Sequence, residues 1–127
     1  MIITIEGSFP TINEFIDANR VLVSKGKRGT WSKGNSMKQR DQRIIAAQLP
    51  RVRLRYPVRL VYHYYEKSRR RDQDNVAGYF RKVFQDALVQ AGLLPGDGWK
   101  YIDGCAEEFH VDRTRPHIEI EVIQIGG

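Results

Sequence analysis

The chain has 127 residues, a formal net charge of +6 at pH 7 and a single cysteine. This length favours one domain over residues 1–127, and one cysteine excludes both an internal disulfide bond and a zinc site built from cysteines. There is no apolar run long enough for a membrane span and no signal-peptide pattern. We therefore expect a cytoplasmic protein.

The positive charge is concentrated in the first half of the chain. Residues 20–55 contain eleven lysines and arginines but only one acid, whereas residues 83–127 carry an excess of acids. A domain with one such basic segment is a candidate for binding a polyanion such as nucleic acid. A basic surface that is only solvated is the alternative.

The first predicted element is a strand over residues 1–7, where isoleucines alternate with polar residues. Residues 13–23 are ambiguous. Residues 24–35 are rich in glycine and basic residues and predict a loop. Trp31 in this loop can pack on the core or stack on a nucleic-acid base.

Two helices follow in the sequence pattern. Ser36 and Gln39 have the spacing of a capping box, and they predict a helix over residues 36–49 that ends before Pro50. A β-branched and aromatic segment over residues 57–66 predicts a strand. Apolar residues at helical spacing then predict a second helix over residues 75–91.

The last two predicted elements are strands over residues 105–112 and 117–124, joined by a hairpin loop at residues 113–116. The predicted order is strand, helix, strand, helix, strand, strand. This order favours an α+β domain in which a mixed four-stranded sheet is covered by two helices.

Two carboxylates lie between the second predicted strand and the second helix, at Asp72 and Asp74. Side chains at i and i+2 of an extended chain point the same way, so these two can converge on Mg²⁺, which takes oxygen ligands. The arginines at residues 69–71 would attract a phosphodiester backbone. Capping of the following helix is the alternative role for both acids.

Two further residues help to decide between a metal site and a helix cap, namely Lys82 and Asp97. Lys82 lies two turns after Asn75 on the same helix face, where an ammonium group can stabilise charge on a reacting phosphate. Its alternative role is an i,i+4 ion pair with Asp86. Asp97 lies between two glycines after the helix. There it can approach the other two acids or form an ordinary turn.

The remaining reactive residue types carry weaker signals. His63, His110 and His117 lack metal-ligand spacing and are interpreted as structural. Cys105 is interpreted as a packing residue. The sequence contains no Walker A or GxGxxG motif, which argues against a nucleotide cofactor.

Taken together, residues 71–97 resemble the RusA family of Holliday junction resolvases, which are crossover junction endodeoxyribonucleases. The family pattern is an Asp-x-Asp-Asn motif, a lysine on the next helix, Asp-Ala-Leu, Ala-Gly and a further acid. It is matched here by Asp72-Gln73-Asp74-Asn75, Lys82, Asp86-Ala87-Leu88, Ala91-Gly92 and Asp97. Pro10-Thr11-Ile12-Asn13 matches the N-terminal signature. The spacing from Asn75 to Lys82 is longer than the family pattern by about one helical turn.

The resemblance implies a bacterial or prophage homodimer that makes paired nicks in four-way DNA junctions during recombination and repair, with Mg²⁺ or Mn²⁺ as cofactor. It further implies that Asp72, Asp74 and Asp97 hold the metal and that Lys82 assists phosphoryl transfer. The residues expected to contact DNA are Arg70, Arg71, Lys33, Lys38 and Asn13.

Two other hypotheses stay open. One is a non-catalytic module that binds branched DNA on the same fold, with the acids used only for caps and turns. The other is a purely structural or partner-binding protein. Three acids in a phosphate-binding cleft would repel DNA unless a cation screened them, and this favours the nuclease.

Overall fold

The computed structural model describes residues 1–26 and 29–126, and for residues 22–31 it describes no side chains. Among the described helices, none combines the length and apolar character needed to cross a lipid bilayer. The elements are β1 (Ile2–Glu6), α1 (Ile12–Asn19), β2 (Leu22–Gly26), β3 (Gly29–Ser32), α2 (Lys33–Ala46), β4 (Val58–Glu66), α3 (Gln73–Gln90), β5 (Ile102–Val111) and β6 (His117–Gln124).

Four strands form one mixed sheet in the order β1-β6-β4-β5, and β2 pairs with β3 in a two-stranded sheet. β4 is parallel to β5 and antiparallel to β6, which is antiparallel to β1. Parallel neighbours need a crossover connection, and α3 supplies it. The predicted α+β class with a mixed four-stranded sheet is confirmed, although the described chain contains three helices rather than two.

The core lies between α3 and one face of the sheet. Tyr62 and Tyr64 of β4 are buried there, and their rings contact Phe80 of α3 edge to face at 6.2 and 6.0 Å between centroids. Burial of an aromatic side chain of this kind contributes about 1.5–3 kcal/mol. The intervening residues His63 and Tyr65 lie on the opposite face of β4 and are only half-buried.

α1 occupies the segment that the sequence pattern left ambiguous. The Thr11 hydroxyl accepts a hydrogen bond from the Glu14 N–H at 3.2 Å, and the Glu14 carboxylate accepts one from the Thr11 N–H at 3.3 Å. This reciprocal arrangement is a capping box. The Thr11-x-x-Glu14 spacing was therefore a usable signal for this helix.

The predicted loop over residues 24–35 is wrong, because β2, β3 and the start of α2 fall within it. Residues 27–28 lie outside the described residues. The Trp31 side chain, with its expected contact to the core or to a base, also lies outside the described side chains.

α2 begins at Lys33, earlier than the Ser36 capping box predicts. Ser32 is the N-cap, and its hydroxyl accepts a hydrogen bond from the Asn35 N–H at 3.0 Å and donates one to Asn19 Oδ1 at 2.9 Å. Asn19 belongs to α1, so a tertiary contact favours Ser32 over Ser36 as the N-cap of α2.

β5 and β6 do not form the predicted hairpin. β4 lies between them and pairs with both, so the connection crosses the end of β4, where the Asp112 N–H donates to the Glu66 carbonyl at 2.7 Å. A short polar turn between alternating strands is typical of a hairpin, but it carries no information about a third strand that inserts between them.

Candidate functional site

Asp72 and Asp74 lie where β4 has ended and α3 begins. Asp72 is the N-cap residue of α3, yet its carboxylate makes no capping hydrogen bond, and Asp74 lies in the first turn. Both side chains are exposed. Neither makes a hydrogen bond or ion pair with another residue in the described part of the chain. Local structure therefore leaves both carboxylates available to a ligand.

The loop after α3 brings Asp97 back to the middle of that helix. Asp97 Oδ2 lies 3.0 Å from Lys82 Nζ, and Lys82 also pairs with Asp86 at 3.2 Å, one turn further along α3. The other oxygen of Asp86 accepts Lys38 of α2 at 3.1 Å. Two lysines and two acids thus form one network that connects α2, α3 and the loop.

Lys82 is held in its charged form by this network. Its hydrogen bonds to Asp97 and then to Asp86 raise the pKa of the ammonium group above the ordinary value of 10.5. A group with a raised pKa of this kind cannot act as a general base near neutral pH. It can supply a fixed positive charge to a developing phosphate charge.

The first two acids and the Lys82 network do not meet in this structure. Eight residues of helix separate the Cα atoms of Asp74 and Lys82 by about 12 Å, and the bond to Asp86 directs the ammonium group away from Asp74. Asp72, Asp74 and Asp97 do not form a group of ligand atoms within 4.8 Å of one another.

The donor set at the start of α3 fits Mg²⁺. This ion is usually bound by one or two carboxylates and keeps several waters that a phosphate can displace. Asp72 and Asp74 supply two carboxylates that the fold does not otherwise use. Asp97 is the partner of Lys82 instead, so the third predicted ligand does not join the other two.

The residues expected to contact DNA differ in their surroundings. Arg71 donates to both oxygens of Glu66 at 2.7 and 3.2 Å and to the Phe9 carbonyl at 2.6 Å. Its guanidinium therefore connects the end of β4 to the segment after β1. By contrast Arg70 is exposed, and its side chain has no partner among the described residues.

The other expected contacts lie around α1 and α2. Lys33 and Asn13 are exposed, whereas Lys38 is half-buried in its pair with Asp86. Lys38 and Lys82 border a cleft of about 120 Å³ between the three helices. The cleft is further lined by Ile12, Phe15, Gly78, Tyr79 and Val83.

One interpretation from sequence is wrong, and the residues of another lie in a group that the sequence did not indicate. Cys105 is an exposed residue of β5 rather than a packed one. Desolvation of its sulfur atom, which lies 3.5 Å from Gln85 Nε2, raises the pKa of the thiol and disfavours the reactive thiolate. His63 and His110, interpreted as structural, come together with Glu108 within 4.8 Å. The two histidines are 47 positions apart, so no local spacing could have indicated the group.

Compared with models of known protein families, the chain matches none, and a search of curated proteins finds no match. The RusA-like identity of the chain therefore stays a prediction that depends on its motifs.

Proposed function

We propose that this protein is a metal-dependent endodeoxyribonuclease that resolves four-way DNA junctions in the manner of the RusA family. The observation that carries the proposal is the state of Asp72, which occupies the N-cap of α3 without capping it. An exposed second carboxylate follows at Asp74, and a basic segment precedes both. This arrangement suits a cation and a phosphate better than it suits a helix end.

In this proposal Asp72 and Asp74 hold Mg²⁺ or Mn²⁺. The bound ion would lower the pKa of a coordinated water and neutralise charge on the scissile phosphate. Lys82 would contribute a permanent positive charge after it leaves Asp86, whose bond directs the ammonium group away from Asp74. Until then Asp97 also holds it through the 3.0 Å ion pair. A role for Asp97 as third ligand requires it to leave that ammonium group.

DNA binding is assigned to the exposed basic residues, above all Arg70 and Lys33. A homodimer would present two such sites related by a two-fold axis, which matches the symmetry of a four-way junction. A DNA substrate and a single unpaired cysteine suit a reducing, cytoplasmic compartment.

The test is cleavage of a synthetic four-way junction with and without Mg²⁺, beside a linear duplex. We expect paired, symmetric nicks that need the metal and are abolished by Asp74→Asn, while junction binding is retained or tightened because a negative charge near phosphate is removed. Asp103→Asn is the matched control. Asp103 lies at the start of β5, where its exposed carboxylate pairs with Arg59 of β4. Cleavage by Asp74→Asn at the wild-type rate would show that the metal assignment is wrong.

The pairing of Asp97 with Lys82 favours one second candidate, a module that binds branched DNA without cutting it. Without a third carboxylate beside Asp72 and Asp74, the site has fewer groups to fix an ion. Tight junction binding with no cleavage in either Mg²⁺ or Mn²⁺ would support this candidate over the nuclease.

A further inference from the structure

The sheet carries a second cluster of potential metal ligands, on the face opposite α3. The parallel register of β4 and β5 places His63 beside Glu108, and Tyr65 beside His110. His63 Nδ1 lies 3.0 Å from Glu108 Oε2 and 3.4 Å from His110 Nε2, and the third side, from His110 Nε2 to Glu108 Oε2, is 3.9 Å. Three donor atoms of the right chemical types therefore form a small triangle.

We infer that His63, Glu108 and His110 form a binding site for a divalent transition metal of the Zn²⁺ class, separate from the acids at the start of α3. A tetrahedral Zn²⁺ with bonds of about 2.0–2.1 Å holds its ligand atoms about 3.3–3.4 Å apart. The three measured separations, 3.0, 3.4 and 3.9 Å, lie on both sides of that value. Two imidazoles and one carboxylate form a zinc ligand set that leaves the fourth position to water.

Neighbouring side chains hold the rings in place. The His110 ring stacks on Tyr65 at 4.7 Å between centroids, and Tyr65 stacks on the buried His117 at 4.3 Å. These ring contacts restrict the orientation of the His110 ring before an ion arrives.

The site is open to solvent. Side-chain exposure is 22% for His63, 40% for His110 and 58% for Glu108, which leaves room for an ion to enter and for a water at the fourth position. The donor set also selects the metal. Imidazole nitrogens suit Zn²⁺ and its neighbours in the transition series, whereas Mg²⁺ and Ca²⁺ prefer oxygen.

The first experiment titrates metal-free protein with Zn²⁺ against a chromogenic chelator. We expect one Zn²⁺ per chain, with affinity lowered at least about tenfold by His63→Gln, Glu108→Gln or His110→Gln. Glu121→Gln is the matched control, because Glu121 is exposed on the same face of the sheet. Excess Mg²⁺ should not compete, and an Asp72→Asn, Asp74→Asn double variant should bind Zn²⁺ as the wild type does.

X-ray absorption of the Zn²⁺-loaded wild-type chain tests the ligands without any variant. Scattering from two imidazoles and an oxygen shell would support the site. The inference is overturned if the chain binds no Zn²⁺ stoichiometrically, if the three variants bind it unchanged, or if the shell contains oxygen alone. The cluster would then be an ordinary ion pair between histidine and glutamate.

Discussion

Asp72 allows a direct comparison between a helix cap and a ligand. Because its carboxylate makes no capping bond, we expect Asp72→Ala at high ionic strength, where the charge–dipole interaction is screened, to lower the free energy of unfolding by less than about 0.5 kcal/mol. Thr11→Ala, which removes a real capping box, should cost about 1 kcal/mol. Denaturant titration of both variants measures the difference. Equal losses in the free energy of unfolding would show that Asp72 acts as a helix cap.

Lys82 gives a prediction about charge. Below the ordinary pKa of 10.5 the side chain is protonated even without partners, and its bonds to Asp97 and Asp86 raise the pKa further. We therefore expect that deprotonation of Lys82 does not lower the cleavage rate between pH 7 and 9. Lys82→Ala should slow single-turnover cleavage about a hundredfold with little change in junction affinity.

The exposed Lys100 provides the control for this variant, because Lys100→Ala removes the same charge from the loop that follows Asp97. A wild-type rate in Lys82→Ala would exclude Lys82 from the reaction. A reduced rate in both variants would instead indicate a general loss of electrostatic attraction.

Between elements, one buried polar pair connects α3 with α2. The Tyr79 hydroxyl donates to Asp41 Oδ2 at 2.6 Å, and both residues are buried. Tyr79→Phe leaves the buried carboxylate without this donor and should lower the free energy of unfolding by about 1–3 kcal/mol. Tyr101→Phe is the control, since the Tyr101 hydroxyl makes no hydrogen bond within the described residues. Similar losses in the free energy of unfolding of both variants would show that the hydrogen bond from Tyr79 to Asp41 does not itself stabilise the protein.

Local patterns predicted most helices and strands but not how they pair. The periodicity of residues 75–91 identified α3, and the alternation of Ile118, Ile120 and Val122 identified a strand with one buried face. β4 lies between β5 and β6 and pairs with both, an arrangement that no turn sequence encodes. In the same way, Asn19 of α1 decided where α2 begins.

The same division holds for the candidate site. Asp72 and Asp74 are two positions apart, so their location at the start of α3 could be predicted. The extended backbone predicted from the sequence for both is wrong, because Asp74 already lies in the helix. The approach of Asp97 to Lys82 depends on the path of a loop. The approach of His63 to His110, which are 47 positions apart in sequence, depends on the parallel register of β4 and β5. Spacing could indicate Asp97 and Lys82 but not that they meet, and it gave no indication of the group formed by His63 and His110.

At the scale of the whole molecule, the net charge of +6 matters through the basic residues that are not already paired. Arg71 is paired with Glu66, Lys38 with Asp86, and Lys82 with both Asp86 and Asp97. The exposed Arg70 is the opposite case, and it lies next to Arg71 in sequence. Because Arg70 is exposed and Arg71 is paired, substituting each in turn distinguishes an effect on DNA binding from an effect on stability.

We expect Arg70→Gln to weaken binding to all DNA sequences alike and to reduce the slope of log affinity against log salt concentration by about 0.9, the value for one phosphate contact. Arg71→Gln removes two bonds to Glu66 and one to the Phe9 carbonyl, so it should lower the free energy of unfolding and leave the salt slope unchanged. Fluorescence anisotropy over a salt series and denaturant titration measure the two effects. If the salt slope falls with Arg71→Gln and not with Arg70→Gln, the internal pairing of Arg71 is broken when DNA binds, and the basic surface must be assigned anew.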